Sequence, residues 1–286
     1  MSLSLSLVIP SYNEASRLGK TLATVFAYLN EQPSGSEVIV VDDGSRDETA
    51  AVAEESFRRR ANRRVAARVM RLAENRGKGY AVRAGLLATQ APIALFSDAD
   101  LSTPITETPK LVGPIRAGEY DVVFGSRALD RKLIGVHQSW RREQGGRVFN
   151  LAVRLATGLP YWDTQCGFKA FRMDVCRPII EAATIDRFGF DVELLYIAHA
   201  AGLRLREWPV RWDHNEGGTL QYTYTRNSLR MLNEVRLIRR QARAGFYDAA
   251  ISRVRALIAR REAGAHTPLI PVESDASPEL LAARRI

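Results

Sequence analysis

Cysteine is scarce in this chain: Cys166 and Cys176 are its two thiols in 286 residues. Two thiols build no disulfide framework, which fits a reducing compartment. No apolar run approaches the roughly 18–20 residues that span a bilayer. The N-terminus, MSLSLSLVIP, lacks a basic region and runs straight into a strand-like pattern, so it does not read as a secretory signal. No nucleic-acid-binding signature is present, nor an aromatic-rich basic stretch of the kind that stacks bases. These absences point to a cytoplasmic protein without nucleic acid as partner, able to sit peripherally on the cytoplasmic membrane face.

What is present is globular. Hydrophobic residues make up 46% and charged residues 26% of the chain, enough for one large α/β domain or two smaller ones. The net charge is +9, with the basic excess largely in the second half. Such a balance suits an anionic partner, nucleotide phosphates or anionic lipid headgroups.

Strand and helix patterns alternate over the first part of the chain. Strands are expected at Leu3–Ile9, Glu37–Val41, within Val65–Leu72, at Ile93–Ser97 and at Asp121–Gly125. Helices are expected at Ala15–Glu31, Arg46–Arg60, Lys78–Thr89 and Pro104–Ala117. This repetition predicts an α/β fold with a mostly parallel sheet and helices on both faces. The second half adds an amphipathic basic helix over Trp140–Thr157, with Val148, Leu151, Ala152 and Leu155 as its stripe. A helix over Arg187–Ala201 and a strand over Leu203–Trp208 follow, then one or two Arg-rich helices over Arg226–Arg261, broken near Gly245-Phe246. The expected organisation is a main domain over 1–215, a basic helical extension over 216–263 and a flexible tail over 264–286.

The stretch that carries chemistry is Ile93–Ser102. Its apolar run reads as a strand buried on both faces, and Asp98-Ala99-Asp100 follows where that strand ends. Ligands of open α/β sheets bind outside the carboxyl ends of the strands. Two carboxylates there offer hard oxygen ligands to Mg²⁺ or Mn²⁺, which can bridge to a diphosphate. The other strand ends are polar too: Pro10-Ser11-Tyr12-Asn13-Glu14 after the first strand, Asp42-Asp43-Gly44-Ser45 after the second. Neighbouring parallel strands bring these clusters to one edge. The acids of the second also suit a turn and a helix N-cap. Asn75-Arg76-Gly77-Lys78-Gly79 opens a helix and suits a phosphate, although it lacks P-loop spacing and reads equally as a glycine-rich connection.

Taken together, Val8–Glu14, Val40–Ser45, Asn75–Gly79 and Asp98–Asp100 resemble inverting glycosyltransferases of family 2 with the GT-A (Rossmann-like) fold. Gly125-Ser126-Arg127, Asp163–Phe171 and Phe188–Leu195 resemble the polyprenyl-phosphate hexosyltransferases within them, in particular the UDP-glucose-dependent dolichyl-phosphate β-glucosyltransferase branch. The resemblance covers roughly residues 3–215. It implies a metal-dependent transfer of a hexose, glucose by this branch, from a UDP-sugar to a polyprenyl phosphate. It places Pro10, Tyr12 and Glu14 in a nucleoside pocket, with Asp42 on the base. It places Lys78 near the diphosphate, and Asp98 and Asp100 on metal and nucleotide. Arg127 and Lys169 would receive the acceptor phosphate, and Asp191 and Glu193 occupy the position of an acidic catalytic pair. The eukaryotic β-glucosyltransferase carries an N-terminal membrane helix and several bacterial relatives carry C-terminal ones, and neither is expected from this sequence. A soluble transferase with a sugar or small-molecule hydroxyl acceptor is therefore the alternative, and in that case Asp191 or Glu193 takes a proton and shows a raised pKa.

Overall fold

The computed structural model describes residues 3–136, 140–215 and 224–263. The expected tail over 264–286 lies outside these residues. The chain opens with β1 (Leu3–Ser11), α1 (Ala15–Asn30), β2 (Gly35–Asp42), α2 (Thr49–Arg60), β3 (Val65–Arg71), α3 (Lys78–Leu87) and β4 (Ile93–Ser97). It continues through α4 (Thr108–Arg116), β5 (Val122–Ser126), β6 (Ile134–Val136), α5 (Trp140–Thr157), β7 (Phe168–Arg172), α6 (Met173–Ala182) and α7 (Phe190–Ala201). It closes with β8 (Leu205–Pro209), β9 (Trp212–Asp213), α8 (Tyr224–Arg243) and α9 (Asp248–Ala263).

The main sheet has seven strands in the order β3-β2-β1-β4-β7-β5-β8, and β6 pairs with β9 in a small second sheet. Alternate residues of each central strand feed opposite cores, as the pleat requires. Leu7, Ile9, Val38, Val40, Ile93 and Leu95 face α1, α2 and α4. Val8, Ile39, Val41, Ala94 and Phe96 face α3, α6 and α7. Every residue of Ile93–Ser97 is buried, which is why the strand is apolar from Ile93 to Phe96. Val235 and Ile238 of α8 and Val254 of α9 belong to the second of these cores, so the basic helices share the main fold's interior.

The structure adds to and refines the expectations from the sequence. The second part of the segment 163–171, where no element was expected, is β7, which runs antiparallel between β4 and β5. The pattern hid this strand because the polar start of the segment precedes only a short apolar run. Its direction matters, since it sets the loop before Phe168 beside the carboxyl end of β4, where Ser97 pairs with Phe168. The second helix starts at Thr49 rather than Arg46, because Asp47 turns back to accept from the Thr49 amide and hydroxyl. On α5, Leu151 and Leu155 of the expected stripe are exposed, and Val153, outside that stripe, is buried.

Candidate functional site

Parallel pairing of β1 with both β2 and β4 puts the ends of those strands side by side. Pro10 lies within β1, paired with Val41, and is buried. Glu14 follows it, 2.5 Å from Arg17. Burial pushes the Glu14 carboxyl up, Arg17 opposes this and the charge of Asp100 adds to it. The parallel register of β1 with β4 sets these two strand ends on one edge. Tyr12, half-buried, stands between Pro10 and Glu14 at the same edge.

Asp42 is buried at the end of β2 and accepts from the Ser45 amide at 3.1 Å, so it closes the turn. Its neighbour Asp43 does a second job that the sequence did not reveal. Its carboxylate accepts from Asn75 Nδ2 at 3.0 Å and from the amides of Arg76 and Gly77, each at 2.8 Å. One carboxylate thus shapes the loop that precedes α3. Gly77 at the end of this loop has φ near 111°, and a Cβ there would meet the Asp186 carbonyl at 2.5 Å. The glycines of this loop therefore serve close packing against residues 185–190 as well as any phosphate. The contact holds α3 against the start of α7, and it brings Lys78 and Asp191 into one electrostatic neighbourhood.

Lys78 Nζ lies 2.6 Å from Asp98 Oδ1. Asp98 is backed by Gly167, where a Cβ would sit 2.1 Å from Asp98 Oδ2. The Asp98 amide also donates to the Gly167 carbonyl at 3.1 Å, tying β4's end to the loop before β7. Asp100 accepts from the Ser102 amide at 2.9 Å. Among the described residues no three His, Cys, Asp or Glu side chains form a ready metal cage. Asp98 and Asp100 still present hard carboxylate oxygens on one short loop, and the cation Lys78 already pairs with the first. Such a donor set suits a divalent ion whose other ligands come from a diphosphate and water.

Lys169, on β7, is fully buried. Its Nζ lies 2.6 Å from Asp191 Oδ1 and donates to the Cys166 carbonyl at 2.5 Å. In this arrangement its ammonium is committed to those partners and is not presented to a phosphate. Asp191 is in the first turn of α7, and burial pushes its carboxyl up, with Lys169 and then Lys78 opposing the shift. Glu193 is not brought to this cluster. Two residues further along α7, it points elsewhere and accepts from the amides of Thr184 and Ile185 and from Tyr247 Oη at 2.8 Å. The acidic pair of the sequence is split between the site and the packing of α9.

Arg127 follows β5 and is one third exposed. Its Nε and an Nη donate to Asp163 at 2.6 and 2.8 Å, and its amide donates to the same carboxylate at 3.0 Å. The Asp163 charge and hydrogen bonds raise the Arg127 pKa against the opposing effect of burial. Asp163 is held in turn by Glu207, which accepts from the amides of Trp162 and Asp163 at 2.9 and 2.7 Å. A bidentate pair uses one edge of the guanidinium and leaves its other donors in a fixed orientation. Asp163 and Glu207 were missed as functional supports because they lie 36 and 80 residues beyond Arg127 in the chain. Only the β5–β8 pairing, which sets Phe124 opposite Glu207, brings them together.

A glycosyl transferase family 2 model matches residues 6–179. The chain is 38% identical over 230 residues to a dolichyl-phosphate beta-glucosyltransferase from Drosophila melanogaster, covering 77% of this chain and 70% of that protein. It is 34% identical over 226 residues to the protein of the same name from Homo sapiens, covering 76% and 69%. Among solved structures it is similar to glucosyl-3-phosphoglycerate synthase from Mycobacterium tuberculosis in complex with Mn²⁺, UDP and glucosyl-3-phosphoglycerate. That likeness has a TM-score of 0.55 at 21% identity and covers 82% of this chain and 80% of the other. It extends to the fold, which is of the GT-A type.

Proposed function

Because the chain belongs to glycosyl transferase family 2, we propose that it moves glucose, with inversion, from UDP-glucose to a polyprenyl phosphate such as dolichyl phosphate. The observation that carries this reading is the meeting, on one sheet edge, of the Lys78–Asp98 pair with an Arg127 fixed by Asp163. The curated relatives carry the glucosyl group and the dolichyl-phosphate acceptor in their names.

In this reading Pro10, Tyr12 and Glu14 line the nucleoside pocket and Asp42 faces the base. Asp98 and Asp100 hold a divalent ion, Mg²⁺ or Mn²⁺, which when bound offsets the charge on the departing diphosphate. Lys78 exchanges part of its contact with Asp98 for a phosphate oxygen. Arg127 turns its free donors toward the acceptor phosphate. A phosphate monoester is already anionic near neutral pH, so positioning matters more than a strong base. Lys169 then acts through Asp191, fixing the carboxylate that borders the reacting centre. Among the described residues no helix is long and apolar enough to cross a membrane.

A second reading has a specific observation in its favour. Burial raises the Asp191 carboxyl, the behaviour of a general base for a hydroxyl acceptor. The two readings are separated by one assay. Purified protein with UDP-glucose and Mn²⁺ or Mg²⁺ is given either a short-chain prenyl phosphate or soluble sugar and glycerate acceptors. Transfer to the prenyl phosphate alone is expected. Transfer only to hydroxyl acceptors replaces the first reading with the second, and transfer from no UDP-sugar sinks both.

A further inference from the structure

The α5 helix carries an apolar face that nothing among the described residues covers. Leu151 is 52% exposed and Leu155, one turn on, is 77% exposed. Arg154 lies on the same face of the helix, since residues three and four apart are neighbours there. Its guanidinium sits 3.7 Å over the ring of Trp162, which is itself 54% exposed. Leu151, Arg154, Leu155 and Trp162 thus make one contiguous patch of apolar surface with a cation in its middle. The core side of the helix is served by Val153, so burying this patch is not required for folding.

From this patch we infer an interaction surface for a lipid bilayer with anionic headgroups. Three observations favour that occupant. The first is composition: α5 contains Arg141, Arg142, Arg147 and Arg154 against Glu143 alone. The helix α8, which packs beside α5, adds exposed Arg236, Arg239 and Arg240. The second is chemical type. Leucine and tryptophan side chains among arginines are the pattern of helices that lie in the headgroup region, where the apolar face enters the acyl boundary and the cations meet lipid phosphates. The third is continuity. Trp162 is followed by Asp163, the carboxylate that fixes Arg127. A polyprenyl phosphate holds its phosphate at the headgroup plane and its chain in the hydrocarbon. A surface that seats Trp162 and Leu155 in the bilayer places Arg127 near that plane.

The inference rests on the polyprenyl-phosphate reading for its purpose, but its test is separate. Full-length protein is sedimented with vesicles of phosphatidylcholine alone and of phosphatidylcholine mixed with phosphatidylglycerol. The comparison is with the double variant Leu151→Gln/Leu155→Gln, both exposed positions. Glucose transfer to a short-chain prenyl phosphate in solution, without vesicles, is measured in parallel, together with molecular mass by light scattering. The wild type is expected on the mixed vesicles and not on the neutral ones. The double variant is expected to lose about tenfold in partitioning while keeping its solution activity and mass. Equal sedimentation of variant and wild type overturns the surface, and so does a wild type that stays in solution. A wild-type dimer that the substitutions dissociate assigns the patch to a second copy of the chain instead. Absence of transfer in solution by the wild type counts against the reading of the activity and leaves the sedimentation result to stand alone.

Discussion

Lys169 Nζ and Asp191 Oδ1 lie 2.6 Å apart with the lysine side chain wholly excluded from solvent. The pair joins β7, in the middle of the sheet, to the first turn of α7. Removing one member leaves the other charge buried without a partner, which costs about 3–5 kcal/mol. Lys169→Met is therefore expected to lower stability by about 3 kcal/mol or more. Lys169→Met/Asp191→Leu should recover most of that loss without recovering transfer. A denaturant melt of the two singles and the double gives the coupling energy. Additive losses would show that the pair does not act as a unit.

Gly167 sets the position of the first carboxylate of the Asp98-Ala99-Asp100 triplet. Any side chain at 167 collides with Asp98, since the added Cβ would lie 2.1 Å from Oδ2. Gly167→Ala is expected to weaken Mn²⁺-dependent UDP binding by at least about tenfold, or roughly 1.4 kcal/mol. Titration calorimetry with UDP, with and without Mn²⁺, checks this. Unchanged metal-dependent affinity in a folded variant would remove Asp98 from the metal.

Glu193 is expected to behave as a structural carboxylate. It gathers the Thr184 and Ile185 amides and the Tyr247 hydroxyl. The carboxylate charge and hydrogen bond of Glu193 add to burial in raising the Tyr247 pKa. Glu193→Gln places an amide donor against donors and should cost about 2–3 kcal/mol. The expected signature is a lowered Tm with kcat retained at a temperature well below it, whereas Asp191→Asn should lower both kcat and Tm, because it leaves the buried Lys169 without its counter-charge. The reverse pattern would return Glu193 to the reaction.

Acid stability should report on Asp121. Burial raises its carboxyl, but hydrogen bonds from Arg204 and Arg261 outweigh that and hold it below the ordinary 3.8. A carboxylate with a depressed folded pKa stabilises the protein above its unfolded pKa and ceases to do so as the pH falls through the folded value. The Tm difference between wild type and Arg261→Met should thus be full at about pH 6 and shrink as the pH falls below 3.8 through the folded value. A difference independent of pH would mean that Arg261, at the end of α9, contributes through packing alone.

Much of the polar edge of the sheet was legible in the chain. The periodicities at Ala15–Asn30, Lys78–Leu87 and Ile93–Ser97 are local properties, and local pattern placed those elements within a few residues. Parallel pairing then forces the polar strand ends onto one edge, which is why Asp42, Asp98 and Glu14 could be grouped before any coordinates. The partners of each side chain were not legible. Whether Asp43 holds a loop, whether Lys169 meets a phosphate or Asp191, and whether Glu193 faces the site are decided by contacts between segments far apart in sequence.

The same division holds for α5. Its sequence fixes a basic amphipathic helix, and its stripe of Leu151 and Leu155 follows from the 3.6-residue turn. Which side of that helix meets the core depends on how α5 is seated among its neighbours, and the structure turns Val153 inward and the leucines outward. Sequence by itself determined most elements of the first half, the sheet edge and the identity of the charged groups, because these arise from spacing along one strand or one turn. The tertiary structure alone decided how charges pair and which surfaces stay open, because ion pairs and burial depend on distances that no single segment contains.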